Sequence, residues 1–498
     1  MRAIASLAPS KTTPPAWRPP WIFARVFAMH LDRLSRRVAR AGCATALVLA
    51  VSLPAAAEGP TTTPLSTCAS CDTAALTDAD IQTSRQVWHA PGSLPDKPMP
   101  VFQGVDMLNL FIVVESGSQH VTVLDGDRFE PLHRFALHRA LQGAPRFSPD
   151  GRFAYFLSSE GWVTQFDLWN LQAVAEVRAG QDSRSLAISG NGKYLAVANQ
   201  RPHKLVLLDA ELNLLKAHPA LNQQRTRSSP ILSVHDAAPR RSFVAVLQDV
   251  PEIWEISYNP AADDVPIGMI HDFLYKEGAF IPGFLNPRRS VLPEPMGQVF
   301  FTPSHHELLG MSRQGGKSQV IHLDVRKTIA SLQLSDMPAS GAAATWNYRP
   351  APGAPERSVM ALPSPGDGMV RLLDLESWAT LKTVPMPGPG RLMRSHEGAP
   401  HVWMIQAPTS NGAGALQLLD KHKLEHVASI HTDLGKDLAH VAFSRDGRYA
   451  LASLRERKAD GGAVIVFDTA TLKEIKRIPM DGPVGAYNLH NQIARPEP

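Results

Sequence analysis

Short apolar runs separated by clusters of Asp, Gly, Asn and Ser recur along most of the chain. Ser148-Pro149-Asp150-Gly151-Arg152 precedes the apolar run Phe153 to Leu157, then a Ser-Ser-Glu-Gly turn, then a second run from Trp162 to Leu168. The unit returns at Ser189-Gly190-Asn191-Gly192-Lys193 and at Ser444-Arg445-Asp446-Gly447-Arg448, each time followed by an apolar strand pattern. A tight reversal needs a residue that tolerates positive φ, which glycine supplies. Asp125, Asp167, Asp209, Asp324, Asp374, Asp420 and Asp468 each close a run. A repeat of roughly forty residues with several strands per repeat is the pattern of propeller blades. The spacing predicts an all-β, eight-bladed β-propeller. Its blades are expected at 108–137, 143–178, 184–217, 230–275, 297–334, 343–386, 391–431 and 438–480. The first blade shows only three strands, and Ala486 to His490 can supply the fourth and close the ring, removing the exposed edge. Lys276 to Met296 reads as a long interblade loop reaching over the central cavity.

Composition changes this picture only at the N-terminus. Arg33, Arg36, Arg37 and Arg40 precede a short apolar stretch, Ala41 to Leu53, and Ala55-Ala56-Ala57 offers a cleavage site before Glu58. This is the pattern of an export signal, so a periplasmic location is expected, with no membrane span in the mature form. Three segments follow: 1–57 as extension and signal peptide, 58–107 as a short Cys-containing segment, and 108–498 as the propeller. Cys68-Ala69-Ser70-Cys71-Asp72 lacks the His that a covalent c-type haem site requires, so no such haem is expected. A disulfide or redox pair, Cys68 with Cys71, is the reading suited to an oxidising compartment. The net charge of +4 is spread along the chain without a basic cluster, which argues against a nucleic-acid partner.

The run Phe166-Asp167-Leu168-Trp169, the segments Ser183-Arg184-Ser185 and Met393-Arg394-Ser395-His396-Glu397, and the closing Gly485-Ala486-Tyr487-Asn488 carry a resemblance. Together they resemble the haem d₁ domain of cytochrome cd₁ nitrite reductases over about residues 108 to 495. Leu438-Ala439-His440-Val441 and Asp336-Met337-Pro338 resemble the accessory members that act in haem d₁ maturation, one of them a dihydro-haem d₁ dehydrogenase. The resemblance implies a cofactor or substrate, haem d₁ or its precursor. It also implies a role in maturation or delivery of that tetrapyrrole for nitrite reduction, with nitrite reductase or a periplasmic cytochrome c as candidate partners. Three histidines of the family pattern are missing. Leu141 to Phe147 contains none, Pro338-Ala339 stands where the family has Pro-His, and Pro363 to Gly368 lacks the reductase's distal His.

By the same resemblance, Arg184 is a candidate partner for the tetrapyrrole's carboxylates, since a guanidinium offers bidentate, always-charged contacts. His440 is the candidate base for removing hydrogens from a propionate, and Tyr487 the candidate carboxylate holder, both placed at the central cavity. His396 is a candidate cofactor contact or a hydrogen-bonding turn residue. The adjacent His305 and His306 would point opposite ways in a strand and so could not serve one metal ion there. Two other readings compete. One is an oxidoreductase acting on bound dihydro-haem d₁, or a nitrite reductase-like protein; the other is a haem-free propeller serving as a scaffold for protein interaction.

Overall fold

The computed structural model describes residues 75–493, except 273–276, 314–316, 335–337, 339–340, 409–413, 433–435 and 457–460 and the side chains of 268–272 and 277. The signal segment and the Cys68–Cys71 pair lie outside the described residues. Eight four-stranded antiparallel units make an eight-bladed propeller. In every unit but the first the strands pair in chain order from an inner strand to an outer one, as in blade 8: Lys436–Phe443, Tyr449–Glu456, Gly462–Asp468 and Glu474–Pro479.

The repeat motifs build the blade corners. The hydroxyl of Ser444 donates to Asp446 Oδ1 at 2.6 Å and accepts from the Tyr449 amide at 3.0 Å. Ser189 does the same with Asn191 and Tyr194. Gly447 completes the reversal at φ +74°, a conformation costly for residues with a Cβ. The closing aspartates cap the turn into the outer strand: Asp468 Oδ1 accepts from the amides of Ala470 and Thr471, and Asp420 Oδ1 from those of His422 and Lys423. Asp324 departs from the pattern; its carboxylate holds Arg240 and His306 instead.

Buried apolar clusters fill the seams between neighbouring blades. Val113, Leu451 and Val466, for example, pack blade 8 on blade 1, and Trp403, Val441 and Phe467 pack blade 7 on blade 8. Each fully buried Leu, Val or Phe contributes about 1.5–3 kcal/mol relative to exposure. The ring closes through Pro483–Asn488, which serves as the inner strand of blade 1 and pairs antiparallel with Phe111–Glu115. Asn488 fastens this closure by donating to Asn109 Oδ1 at 3.0 Å and capping the last helical turn, Leu489–Gln492.

Blade 4 differs from the sequence reading. Its outer strand is Pro287–Val291, paired with Glu252–Ser257, and a two-stranded hairpin, Val265–Asp272 with Glu277–Ile281, is inserted before it. The described part of the stretch expected as a loop over the central cavity, 277–296, instead finishes this hairpin and supplies the blade's outer edge. At the other end of the described chain, Gln86–Val87 adds a fifth strand to blade 2, and Ile81 of the preceding helix, Asp78–Ser84, packs into the seam of blades 2 and 3. Among the described residues no helix is long and apolar enough to cross a membrane.

Candidate functional site

The inner strands meet around the propeller axis, and their register decides which side chains line it. One position recurs in every blade. It is held by Tyr487, Arg146, Ala187, His235, Phe300, Ala344, Arg394 and Ala442 in blades 1 to 8, paired respectively with Ile112, Tyr155, Ala196, Val244, Leu309, Ala361, Trp403 and Leu451. Four blades put a small or apolar residue there and four a polar one. The polar four are Arg146, His235, Arg394 and Tyr487, each half-buried in the wall of the channel.

His440 stands two residues before Ala442 on the same face of its strand, just after a bulge at Ala439. Its ring lies 4.8 Å from that of Tyr487, centroid to centroid. Gly485 makes room for this pair, because a Cβ there would sit 2.3 Å from the Tyr487 hydroxyl. His440 Nδ1 is buried without a hydrogen-bond partner. Burial, and then the Arg394 cation, push the His440 imidazole down to about 3, against a weaker opposing hydrogen bond between the ring and the Ala486 backbone. The ring is therefore neutral at physiological pH. Burial raises the Tyr487 phenol, with Arg394 and then Arg146 opposing.

The two arginines are anchored by carbonyls rather than by acids. Arg146 Nε donates to Leu186 O at 2.7 Å, and Arg394 Nη1 donates to Gly341 O and, at 2.9 Å, to Met393 O. Burial drives Arg394 well below the ordinary guanidinium range, to about 10, and lowers Arg146 as well, with Tyr487 and then Asp236 offsetting part of the latter. Across the channel, burial and then Arg146 and His305 hold His235 down to about 4. Its Nε2 bonds Ser233 Oγ at 3.0 Å. Asp236 lies behind it, accepting from the Tyr258 hydroxyl at 2.9 Å and pushed up to about 7 by burial. The wall thus presents two fixed guanidiniums with no carboxylate in a salt bridge to either among the described residues.

A pocket of about 420 Å³ opens at this wall, lined by Arg394, His396, His440 and the terminal residues Asn488 and Asn491. A second, of about 450 Å³, lies away from the axis beneath the N-terminal segment, where its Arg152 and Asp167 pair with each other at 3.0 Å.

Of the residues singled out in the sequence, His440 and Tyr487 come together at the axis. His396 lies at the pocket rim on the blade 7 turn, its Nδ1 accepting from the Gly398 amide at 3.1 Å and its ring against Phe443. Arg184 is the bulged residue of the blade 3 inner strand, exposed and paired with Asp182 at 3.2 Å. It stands three residues, about 10 Å along the strand, from the level of Arg146. His305 and His306 sit on a turn rather than in a strand. His305 has φ +56° and lies tilted against Phe301, which also meets His235, while His306 bonds Asp324. The sequence reading missed Arg146 and His235 and treated Arg394 only as part of a motif.

The comparisons with known proteins agree with this architecture. The Cytochrome D1 heme domain family matches residues 105–492. A dihydro-heme d1 dehydrogenase of Pseudomonas aeruginosa is 41% identical, over 84% of this chain and 78% of its own. A nitrite reductase of Stutzerimonas stutzeri is 21% identical, over 83% of this chain and 76% of its own. The solved structure of dihydro-heme d1 dehydrogenase NirN in complex with DHE superposes with a TM-score of 0.74 at 40% identity, covering 84% of this chain and 83% of that one. This chain belongs to the Cytochrome D1 heme domain family.

Proposed function

We propose that the protein binds a d₁-type tetrapyrrole in the axial channel and oxidises it, acting as a dihydro-haem d₁ dehydrogenase in haem d₁ maturation in the periplasm. The observation that carries this reading is the channel wall itself. Two half-buried arginines, neither in a salt bridge to a carboxylate among the described residues, stand in the same wall as a buried histidine whose Nδ1 has no hydrogen-bond partner. Holding two such cations together costs folding free energy unless a polyanion complements them. A tetrapyrrole carrying several carboxylates is such a polyanion, and a guanidinium binds carboxylate through two parallel hydrogen bonds.

Converting a propionate to an acrylate side chain removes two protons and two electrons. His440 lines the pocket beside Arg394 and is placed to take a proton from the bound substrate. A neutral ring is required for that role. The Arg394 cation that depresses its basicity is the group a substrate carboxylate would neutralise, so binding makes His440 a stronger base. Tyr487 packs beside it and limits how the substrate enters. The two electrons leave through the macrocycle to a one-electron acceptor in two transfers, and the two protons leave through His440 in turn, each released to water in the pocket before the next; a periplasmic c-type cytochrome is the fitting class of acceptor.

An anaerobic absorption titration of the protein with dihydro-haem d₁, followed by addition of an electron acceptor, tests the reading. Stoichiometric binding followed by conversion to the haem d₁ spectrum is expected, with His440→Ala binding but not converting. Binding without conversion in the wild type would make the protein a carrier, and no spectral change at equimolar haem would remove both roles.

A further inference from the structure

The channel holds a second histidine that the proposed chemistry leaves unused. Among the described residues the eight inner strands carry two histidines, His440 on blade 8 and His235 on blade 4. In a ring of eight, blade 4 stands opposite blade 8. The His235 ring is held from two sides. Its Nε2 shares a hydrogen bond with Ser233 Oγ at 3.0 Å, and Phe301, the last residue of the blade 5 inner strand, packs against it at 5.1 Å between centroids. Nδ1 has no hydrogen-bond partner among the described residues, and it is not buried as His440 Nδ1 is. The two arginines decide what this nitrogen faces. Arg146 lies on blade 2 and Arg394 on blade 7. A line joining them leaves blades 8 and 1 on one side and blades 3 to 6 on the other. A flat macrocycle whose carboxylates reach both arginines stands along that line. It turns one face to His440 and Tyr487 and the other to His235.

We infer that His235 Nδ1 is the protein ligand to the iron of the bound tetrapyrrole, on the face turned away from His440. A metal takes a neutral imidazole through either nitrogen, and the hydrogen bond made by the other nitrogen settles which. With Nε2 donating to Ser233 Oγ, the Nδ1 lone pair is bare. Burial, with Arg146 and then His305, keeps the ring neutral, as ligation requires. The three histidines missing from the family pattern belong to the stretches leading into blade 2 and in or before blade 6, so His235 reaches the iron from a different part of the wall. The two channel histidines then divide the work: His440 takes protons, while His235 fixes the macrocycle by its metal. The inference rests on the reading that the channel binds a d₁-type haem, and it does not depend on whether that haem is oxidised there.

The test labels the protein's histidines with ¹⁵N, loads it with ferric haem d₁ of natural isotopic composition, and reads couplings to the iron by electron spin-echo envelope modulation. The macrocycle nitrogens remain ¹⁴N, so a strong ¹⁵N coupling reports a histidine on the metal. Wild type, His440→Ala and Tyr487→Phe should all show it. His235→Ala should take up the haem through the two arginines but lose the coupling, and free imidazole should return its absorption spectrum to that of the wild type. Alanine already fills the same position in blades 3, 6 and 8, so the fold accepts this variant. A coupling that survives in His235→Ala, or none in haem-loaded wild type, would overturn the inference and leave haem binding standing. A variant that takes up no haem even with imidazole present would overturn it too, because His235 would then hold more than the iron. Failure of the wild type to bind haem d₁ would instead strike the tetrapyrrole reading itself, and this inference with it.

Discussion

Arg394 offers a test in which stability and ligand binding should move in opposite directions. Its guanidinium is held within the channel wall, where the Gly341 and Met393 carbonyls and the Tyr487 ring favour its charge only in part against burial. The fall from the ordinary guanidinium range to about 10 means that keeping Arg394 charged costs the folded, substrate-free protein about 3 kcal/mol. Arg394→Gln removes that cost and keeps an amide able to donate to the Gly341 or Met393 carbonyl that the guanidinium now engages. Lost packing of the arginine stem offsets part of the gain. The substrate-free variant should therefore be as stable as the wild type or more so, by up to about 3 kcal/mol. For a chain of this length that is roughly 1 °C in Tm per kcal/mol. Binding should go the other way. A charge-assisted hydrogen bond contributes about 1.5–3 kcal/mol, so the Kd for a d₁-type haem should rise by roughly 10- to 150-fold. Arg394→Lys, which keeps the charge but not the fork, should fall between the two. Calorimetric scans of the substrate-free variants and absorption titrations at one fixed ionic strength measure both quantities. A variant that loses several degrees of Tm yet binds haem like the wild type would refute the reasoning, because Arg394 would then be a structural cation.

Two further predictions follow from the same wall. Gly485→Ala would bring a Cβ against the Tyr487 ring and swing it away from His440, so titration should show binding weakened by about 1 kcal/mol, the worth of such a ring pair, with an unchanged far-ultraviolet circular dichroism spectrum. Asp236→Asn should change how stability depends on pH. With its carboxyl pushed up to about 7 from 3.8, folded Asp236 keeps a proton that the unfolded chain has released, so its contribution to stability falls as the pH rises from about 4 to about 7, by up to about 4 kcal/mol. Asn cannot titrate, so the Tm of the variant relative to the wild type should increase steadily across that window; a constant difference would show that Asp236 does not titrate there.

The blade corners were legible because their chemistry is local. A Ser-x-Asp-Gly turn and an Asp that caps the next turn satisfy their own backbone within a few residues, so the motif carries its geometry with it. The closing Gly485-Ala486-Tyr487-Asn488 was legible for a similar reason: glycine clears space for the tyrosine, and Asn488 ties the ends of the chain to Asn109. The blade 4 insertion was not, because the stretch from Val265 to Ile270 reads as an outer strand whether it joins the blade or forms a hairpin beside it, and only pairing across 35 residues separates the two. Arg184 illustrates another limit. A bulge shifts the side-chain alternation by one residue, so a motif match could not say that Arg184 lies out at an exposed ion pair with Asp182. Arg146 was within reach of the sequence: it stands two residues before the turn serine Ser148, where the other two recognisable repeats have Ala187 and Ala442. A cation at a position that its sister repeats fill with alanine is a departure that packing alone does not explain.

That departure points to how a repetitive scaffold comes to hold one specific site. Every blade presents the same register position to the axis, and the fold needs nothing there beyond a residue that fits the seam, as Ala187, Ala344 and Ala442 show. Arg146, His235, Arg394 and Tyr487 are therefore not demanded by the propeller, and the first three carry burial effects that a small side chain would avoid. Their placement is also uneven. Arg394 and Tyr487 flank blade 8, where Ala442 leaves room and His440 stands one step along the same face. Arg146 and His235 flank blade 3, where Ala187 leaves room on the other side. The pocket lined by Arg394 and Ala442 is one recess in the wall, and we infer a second at Ala187, so that each is bordered by one arginine. A ligand that fills both must be broad and carry anionic groups on more than one edge. A flat macrocycle with several carboxylates meets that requirement, whereas a small anion could satisfy only one arginine at a time. If this is right, Arg146→Gln and Arg394→Gln should weaken binding of a d₁-type haem by amounts that add in free energy in the double variant, since the two cations grip separate edges. A double variant no weaker than either single one would mean that a single carboxylate bridges both arginines and that the ligand sits at one recess only.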